Sequence, residues 1–275
     1  MASKLIYQHI PKTGGSSLKK ILESEYHRYQ LLRIYDIENR QVNKNYHWYI
    51  DFYNNLNPVK RFFTRCIMGH SAGGFLGTNR NLQRAFALLR HPVDRVLSLY
   101  YYGLSLPDDV QYRFARIIKD RELSLPDIFN EYGKEQSQRS FDPFASFNEF
   151  FNGQIRAILR PKRHLLDWFR LAPNECDRAA EDEALQTALD LVEKHYVIGF
   201  QERFAESVNL FADEFGWKKD QYCRVNVTPE RKSVAETPAE LRQVIEEFNH
   251  LDIRFYEALY SRFPRHADSR GIIEQ

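Results

Sequence analysis

Lys12 stands between a β-forming run, Lys4 to Ile10, and the string Thr13, Gly14, Gly15, Ser16, Ser17. Glycines at such a turn let backbone N–H groups approach an anion, and a helix that begins there adds its positive end. The hydroxyls of Thr13, Ser16 and Ser17 supply further donors, so the segment reads as a cradle for a phosphate or sulfate group. It is not the loop of nucleoside-triphosphate enzymes, where Lys follows the glycines in G-x-x-x-x-G-K-[ST]; here Lys12 precedes them. A second cation, Arg90, follows the apolar run Ala85 to Leu89 and precedes Pro92, which suits a helix's first turn, with Asp94 favouring its dipole. A neutral imidazole is suited to taking a proton near neutral pH, and His70 lies in a small-residue loop, Gly69 to Gly74, after the apolar segment Arg65 to Met68. No Asp or Glu occurs from Phe52 to Val93, so a carboxylate base would come from elsewhere, Asp36 or Glu38 being the candidates.

These residues need elements to hold them. Lys4 to Ile10 reads as a strand, and Leu18, Ile21 and Leu22 recur at helical spacing after it, with Ser16 or Ser17 placed to cap the helix. Arg65 to Met68, Ala85 to Leu89 and Tyr196 to Gly199 read as further buried strands, and Ala205 to Phe215 as a helix closed by Gly216. Short strands alternating with helices imply an α/β fold with a central parallel sheet, whose ligands bind beyond the strands' carboxyl ends, where Lys12 and Arg90 are expected to converge. Thr237, Pro238 and Glu240 read as a capping box that opens one long final helix through Leu241, Val244, Ile245, Phe248, Leu251 and Phe255. Gly103 to Asp142, broken by Pro107 and Pro126, reads as a helical insertion over the sheet. The expectation is one domain spanning residues 1–275.

Composition narrows the function classes. With 43% hydrophobic and 28% charged residues the chain should fold, and a net charge of +2 provides no field for nonspecific nucleic-acid binding, so any anion site must be local. Cys66, Cys176 and Cys223 are odd in number and widely spaced, which fits neither a disulfide framework nor paired metal ligands. The N-terminal residues lack the apolar core of a signal peptide, and no apolar run approaches the ~20 residues that span a bilayer. A soluble, cytoplasmic protein is expected.

The string His9-Ile10-Pro11-Lys12-Thr13-Gly14-Gly15-Ser16-Ser17-Leu18 resembles the 5′-phosphosulfate loop of the sulfotransferases, particularly their carbohydrate, uronyl 2-O branch. Arg90 with Ser98 resembles the same family's pair that holds the donor's 3′-phosphate, and Arg is physically suited to it as a permanent, forked donor. The resemblance implies a P-loop-kinase-like sulfotransferase fold. It implies 3′-phosphoadenosine 5′-phosphosulfate as donor, 3′-phosphoadenosine 5′-phosphate as product, and no metal. Pro11 to Ser17 would hold the 5′-phosphosulfate, Lys12 would stabilise charge on the leaving oxygen, and His70 occupies the position of the catalytic His; carboxylates such as Asp36 or Glu38 serve in other branches. Weaker echoes place Asn152, Gln154 and Arg156 at donor or acceptor, where a solvated polar helix face is the competing reading. Others lie in Val197 to Phe204 and in the basic loop Asn226 to Lys232, where Arg231 and Lys232, with Arg224 nearby, would cover the donor. Gly103 to Asp142 and Pro161 to Asp182 are unmatched. The implied acceptor is a hydroxyl, first of a glycan, then of a lipid, a small phenol or a peptide tyrosine; Asn45 to Tyr49 could stack a sugar ring or simply pack. Two other classes stay open: a nucleotide kinase or NTPase, and a non-catalytic module that binds a sulfated or phosphorylated sugar.

Overall fold

The computed structural model describes residues 3–35, 48–107, 113–135, 146–162, 178–218 and 234–263. In chain order its elements begin with β1 (Leu5–Gln8), α1 (Gly15–Glu25), β2 (Leu31–Arg33), α2 (Trp48–Asn55), α3 (Pro58–Phe63), β3 (Cys66–Gly69) and β4 (Arg84–Leu89). They continue with α4 (Pro92–Ser105), α5 (Arg113–Asp120), α6 (Leu125–Glu135), α7 (Gly153–Ile158), α8 (Arg178–His195), β5 (Tyr196–Phe200), α9 (Phe204–Phe215), α10 (Ala239–Phe248) and α11 (His250–Tyr260). Two compact units are formed, one from Met1–Leu89, Asp190–Asn226 and Leu259–Gln275, the other from Arg90–Leu189 and Val227–Ala258.

The first unit contains the sheet, ordered β2-β3-β1-β4-β5 with every neighbouring pair parallel. Consecutive residues of β1 and β3 are all buried, the signature of a parallel sheet whose faces are both covered. On one face Tyr7, Met68, Phe86 and Leu88 pack against Leu18, Ile21 and Leu22 of α1 and against Phe204, Val208 and Phe211 of α9. The spacing of those α1 residues is what a helix needs to bury one stripe. This is the expected α/β architecture with a central parallel sheet flanked by helices. One strand more than expected is present, because β2, a three-residue edge strand, is too short to carry a periodic signal.

The second unit has its own apolar core. Val93, Val96 and Leu97 of α4 meet Phe114 and Ile118 of α5, Ile128 and Phe129 of α6, and Ile245 of α10. The single final helix expected from Thr237 onward is two. Asn249 ends α10 at φ −124°, ψ 24°, and its amide serves the main chain of another segment. Its Nδ2 donates to the Phe150 and Ile245 carbonyls (2.9 and 3.0 Å), and its Oδ1 accepts from Asn152 N–H (2.9 Å). Pro238 stands at the N-cap of α10, one position before the first helical position expected for it.

Candidate functional site

The β1–α1 turn is built on left-handed backbone. Gly14, the N-cap of α1, has φ 88°, and Lys12 has φ 68°. For a non-glycine residue that conformation costs about 1–2 kcal/mol and persists only where surroundings enforce it. Thr13, fully buried, donates its hydroxyl to the Ile10 carbonyl (2.9 Å), so its proton closes the turn and is not offered to an anion. Ser16 and Ser17 are the second and third residues of α1 and do not cap it; Ser16 is exposed and Ser17 buried. The first N–H groups of a helix have no acceptor within it, and the first turn of α1 carries no acidic side chain. Pro11 and Lys12 are half-buried at this turn.

Gly15 has a reason the sequence did not disclose. A Cβ there would lie 1.8 Å from Nε2 and 2.1 Å from Cδ2 of His9, so the His9 imidazole lies across the helix start where only hydrogen fits. His9 also stacks on Tyr7 (ring centroids 5.5 Å apart), and its Nδ1 is 2.7 Å from the Tyr35 hydroxyl. Burial, followed by the neighbouring His70 and the positive charges of Lys19 and Lys12, holds its pKa well below the usual imidazole value and keeps it neutral.

His70 follows β3 and meets this cluster. Its ring lies 4.5 Å from that of His9 and edge-on to Tyr35 at 5.1 Å. Its Nδ1 is 2.9 Å from the His9 carbonyl oxygen. A carbonyl can only accept, so Nδ1 bears the proton and the neutral ring carries its lone pair on Nε2. Gln8, buried at the end of β1, donates Nε2–H to the His70 carbonyl (2.6 Å) and accepts the Gly73 N–H at Oε1 (2.5 Å). One strand end therefore fixes both the Lys12 turn and the His70 loop. Gln8, His9 and Tyr35 were not read as site residues; the available signal was a Gln ending an otherwise apolar strand, beside a His.

In the second unit, Arg90 is buried and held twice. Its guanidinium is ion-paired with Asp94, Nε donating to Oδ2 at 2.7 Å. Its main-chain N–H donates to Gln154 Oε1 (2.9 Å), and its carbonyl accepts from Gln154 Nε2 (2.8 Å). Pro92 takes the first turn of α4 as expected, and Ser98 is buried one turn beyond Asp94 on the same helix face.

The expectation that Asn152 and Gln154 reach donor or acceptor is corrected. Gln154 is fully buried and its amide serves the Arg90 main chain. Asn152 is the N-cap of α7, its Oδ1 accepting from Asp252 N–H at 3.0 Å. Asp252, on α11, caps α7 from outside, accepting from the N–H groups of Gln154 (3.0 Å) and Ile155 (2.8 Å). Fully buried Arg95 stands 3.9 Å from this carboxylate. Burial raises the Asp252 pKa, while Arg95 and the two N–H donors oppose that rise. Arg156 is half-buried in the last turn of α7. Arg224, Arg231, Lys232, Asp36, Glu38, Asn45, Tyr46 and His47 lie outside the described residues; Trp48 and Tyr49 open α2.

Among the described residues no group of three or more His, Cys, Asp and Glu side chains is placed to hold a metal, and no helix is long and apolar enough to cross a membrane. A parallel sheet whose central strand runs through a left-handed glycine turn into a helix N-terminus places the chain among the α/β proteins, in which such turns are suited to receive anions. Residues 2–261 match the profile of the sulfotransferase family, and the chain belongs to that family. No curated protein matches the chain. Its chemistry is that of a transferase with a sulfate donor and a hydroxyl acceptor.

Proposed function

We propose that the chain moves a sulfuryl group from 3′-phosphoadenosine 5′-phosphosulfate to a carbohydrate hydroxyl, in the manner of the uronyl 2-O branch. The observation that carries this reading is the end of β1, which holds a lysine turn at a helix N-terminus and, through Gln8 and the His9 carbonyl, an imidazole whose basic nitrogen is Nε2. His70 Nε2 takes the acceptor's proton as its oxygen bonds to sulfur. Lys12 and the first N–H groups of α1 stabilise the bridging oxygen that receives the electron pair as the sulfur–oxygen bond to the nucleotide breaks. Arg90, oriented by Asp94, and Ser98 bind the 3′-phosphate, and the family resemblance assigns Arg231 and Lys232 to the donor as well. As in phosphoryl transfer, positioning and electrostatics supply most of the rate.

Calorimetric titration of 3′-phosphoadenosine 5′-phosphate into wild type and Arg90→Ala, with ATP as control, tests the donor. Binding that is lost in the variant and absent for ATP supports the reading; preference for ATP returns the chain to the kinase class, and no nucleotide binding to the binding-module class. Lys12→Ala and His70→Ala should each abolish turnover while the protein stays folded. Normal turnover in Lys12→Ala sinks the mechanism, and normal turnover in His70→Ala moves the base to a carboxylate such as Asp36 or Glu38.

A further inference from the structure

The sheet edge opposite the Lys12 turn carries a surface that sulfuryl transfer does not use. Val59, Phe62 and Phe63 are 63%, 63% and 50% exposed, and no residue of α3 is buried. Their i, i+3, i+4 spacing puts them on one helix face, a stripe that ordinarily meets a core. It is held outward by polar bonds elsewhere on the segment. Asn57 caps α3 by accepting from Val59 and Lys60 N–H, and buried Lys4 donates to the carbonyls of Arg61 and Thr64.

Tyr29, 58% exposed, belongs to the same edge, because the neighbouring Gln30 carbonyl accepts from Arg65 and Cys66 N–H at the start of β3 (2.7 and 3.1 Å). Four of the six large exposed hydrophobic side chains among the described residues thus sit at this edge. Exposed cations accompany them: Lys60, Arg65, and Arg28, which stacks on Tyr29 at 4.7 Å. Acidic residues are sparse. The stretch from Phe52 to Val93 has none, Glu23 is paired with Arg33 (3.1 Å), Glu25 accepts from Lys218 N–H (3.1 Å), and Asp51 is exposed on α2.

We propose that this edge docks on an anionic lipid surface, with Phe62, Phe63, Val59 and Tyr29 entering the headgroup layer and Lys60, Arg65 and Arg28 meeting lipid phosphates. A second copy is disfavoured, because symmetric pairing would set the same cations against one another. A polyanionic chain would use the cations and leave the apolar stripe uncovered. In a parallel sheet the starts of β2 and β3 lie opposite the carboxyl ends, so a docked molecule turns the Lys12 turn and His70 away from the lipid.

The test is co-sedimentation with vesicles of phosphatidylcholine alone and of phosphatidylcholine with phosphatidylserine. Wild type, Phe62→Ser/Phe63→Ser and Lys60→Glu/Arg65→Glu are compared, with thermal melts as folding control. Wild type should bind the phosphatidylserine vesicles and not the neutral ones. The aromatic variant should lose at least about tenfold in affinity, and the charge variant about fivefold or more per cation removed, with melts unchanged. Absence of binding to phosphatidylserine vesicles, or binding unchanged in both variants, overturns the proposal. So does concentration-dependent self-association abolished by the aromatic variant, which would assign the face to a second copy, or dextran sulfate binding retained by that variant without vesicle binding by wild type.

Discussion

Gln154→Leu keeps most of a buried side chain's bulk and removes both of its bonds to the Arg90 main chain, at 2.9 and 2.8 Å. The Arg90 N–H and carbonyl are left without these partners, at about 1–3 kcal/mol for each buried group, so a stability loss of about 2–6 kcal/mol follows. Set against the 5–15 kcal/mol typical of a domain, the variant should fold but unfold at visibly lower denaturant, with an unchanged m-value. The functional consequence is separate. Arg90 follows β4 directly, and Gln154 holds both its N–H and its carbonyl from α7. Losing the alignment of one charge-assisted bond to a phosphate, worth about 1.5–3 kcal/mol, should weaken 3′-phosphoadenosine 5′-phosphate binding by about 10- to 100-fold. Calorimetry on the folded variant reads that loss, and steady-state kinetics should show a raised donor KM with kcat little changed. Gln154→Glu, which as a carboxylate sets a buried charged oxygen against the Arg90 carbonyl, should be at least as destabilising as the Leu variant and recover the donated bond only when protonated. A Leu variant that is destabilised yet binds the nucleotide like wild type would refute the idea that Gln154 positions Arg90. If Arg90→Ala itself binds normally, the phosphate assignment fails instead.

Gly15→Ala forces the His9 ring from its place, since the new methyl would overlap Nε2 at 1.8 Å; a loss of about 1–3 kcal/mol and of turnover is expected, and His9→Ala made in the same chain should restore part of the stability but not the turnover. Additive losses in that double-mutant cycle would exclude the clash. His9 has a folded pKa below its ordinary 6.5, so its contribution is fully present above pH 6.5 and is lost as pH falls toward the lower folded value; melts should drop across that window in wild type and less in His9→Asn. Asp252 has a folded pKa above its ordinary 3.8, so the sign is opposite: its contribution is present below pH 3.8 and is lost as pH rises through the folded value. Asp252→Asn should flatten that segment of the stability curve while costing one α7 N–H its acceptor, and an unaltered slope would count against a buried, titrating carboxylate.

What the chain reveals by local pattern is the part governed by neighbours along it. The turn after β1, the apolar runs of the parallel strands and Pro92 at the start of α4 follow from sterics and periodicity within a few residues, and each is present. The string around Lys12 carried the resemblance to the sulfotransferase family, to which the chain belongs. The left-handed backbone at Lys12 was not legible, because an ordinary L-residue adopts it only when the surrounding fold over-determines the turn.

The tertiary structure decided how the site residues are held. His70 meets the His9 carbonyl across 61 positions, because β1 and β3 pair in one register, and that contact selects its tautomer. Gln154 meets Arg90 across 64 positions and Asp252 across 98, which turned a polar helix segment expected to face a ligand into buried support. Asn249 is only mildly unfavourable in a helix by propensity, yet its bonds to the segment around Phe150 break one expected helix into two. In each case a polar side chain has the same local sequence signature whether it faces water or a buried main-chain group. The difference is set by the cost of leaving that buried group unpaired, and only packing determines which groups are buried.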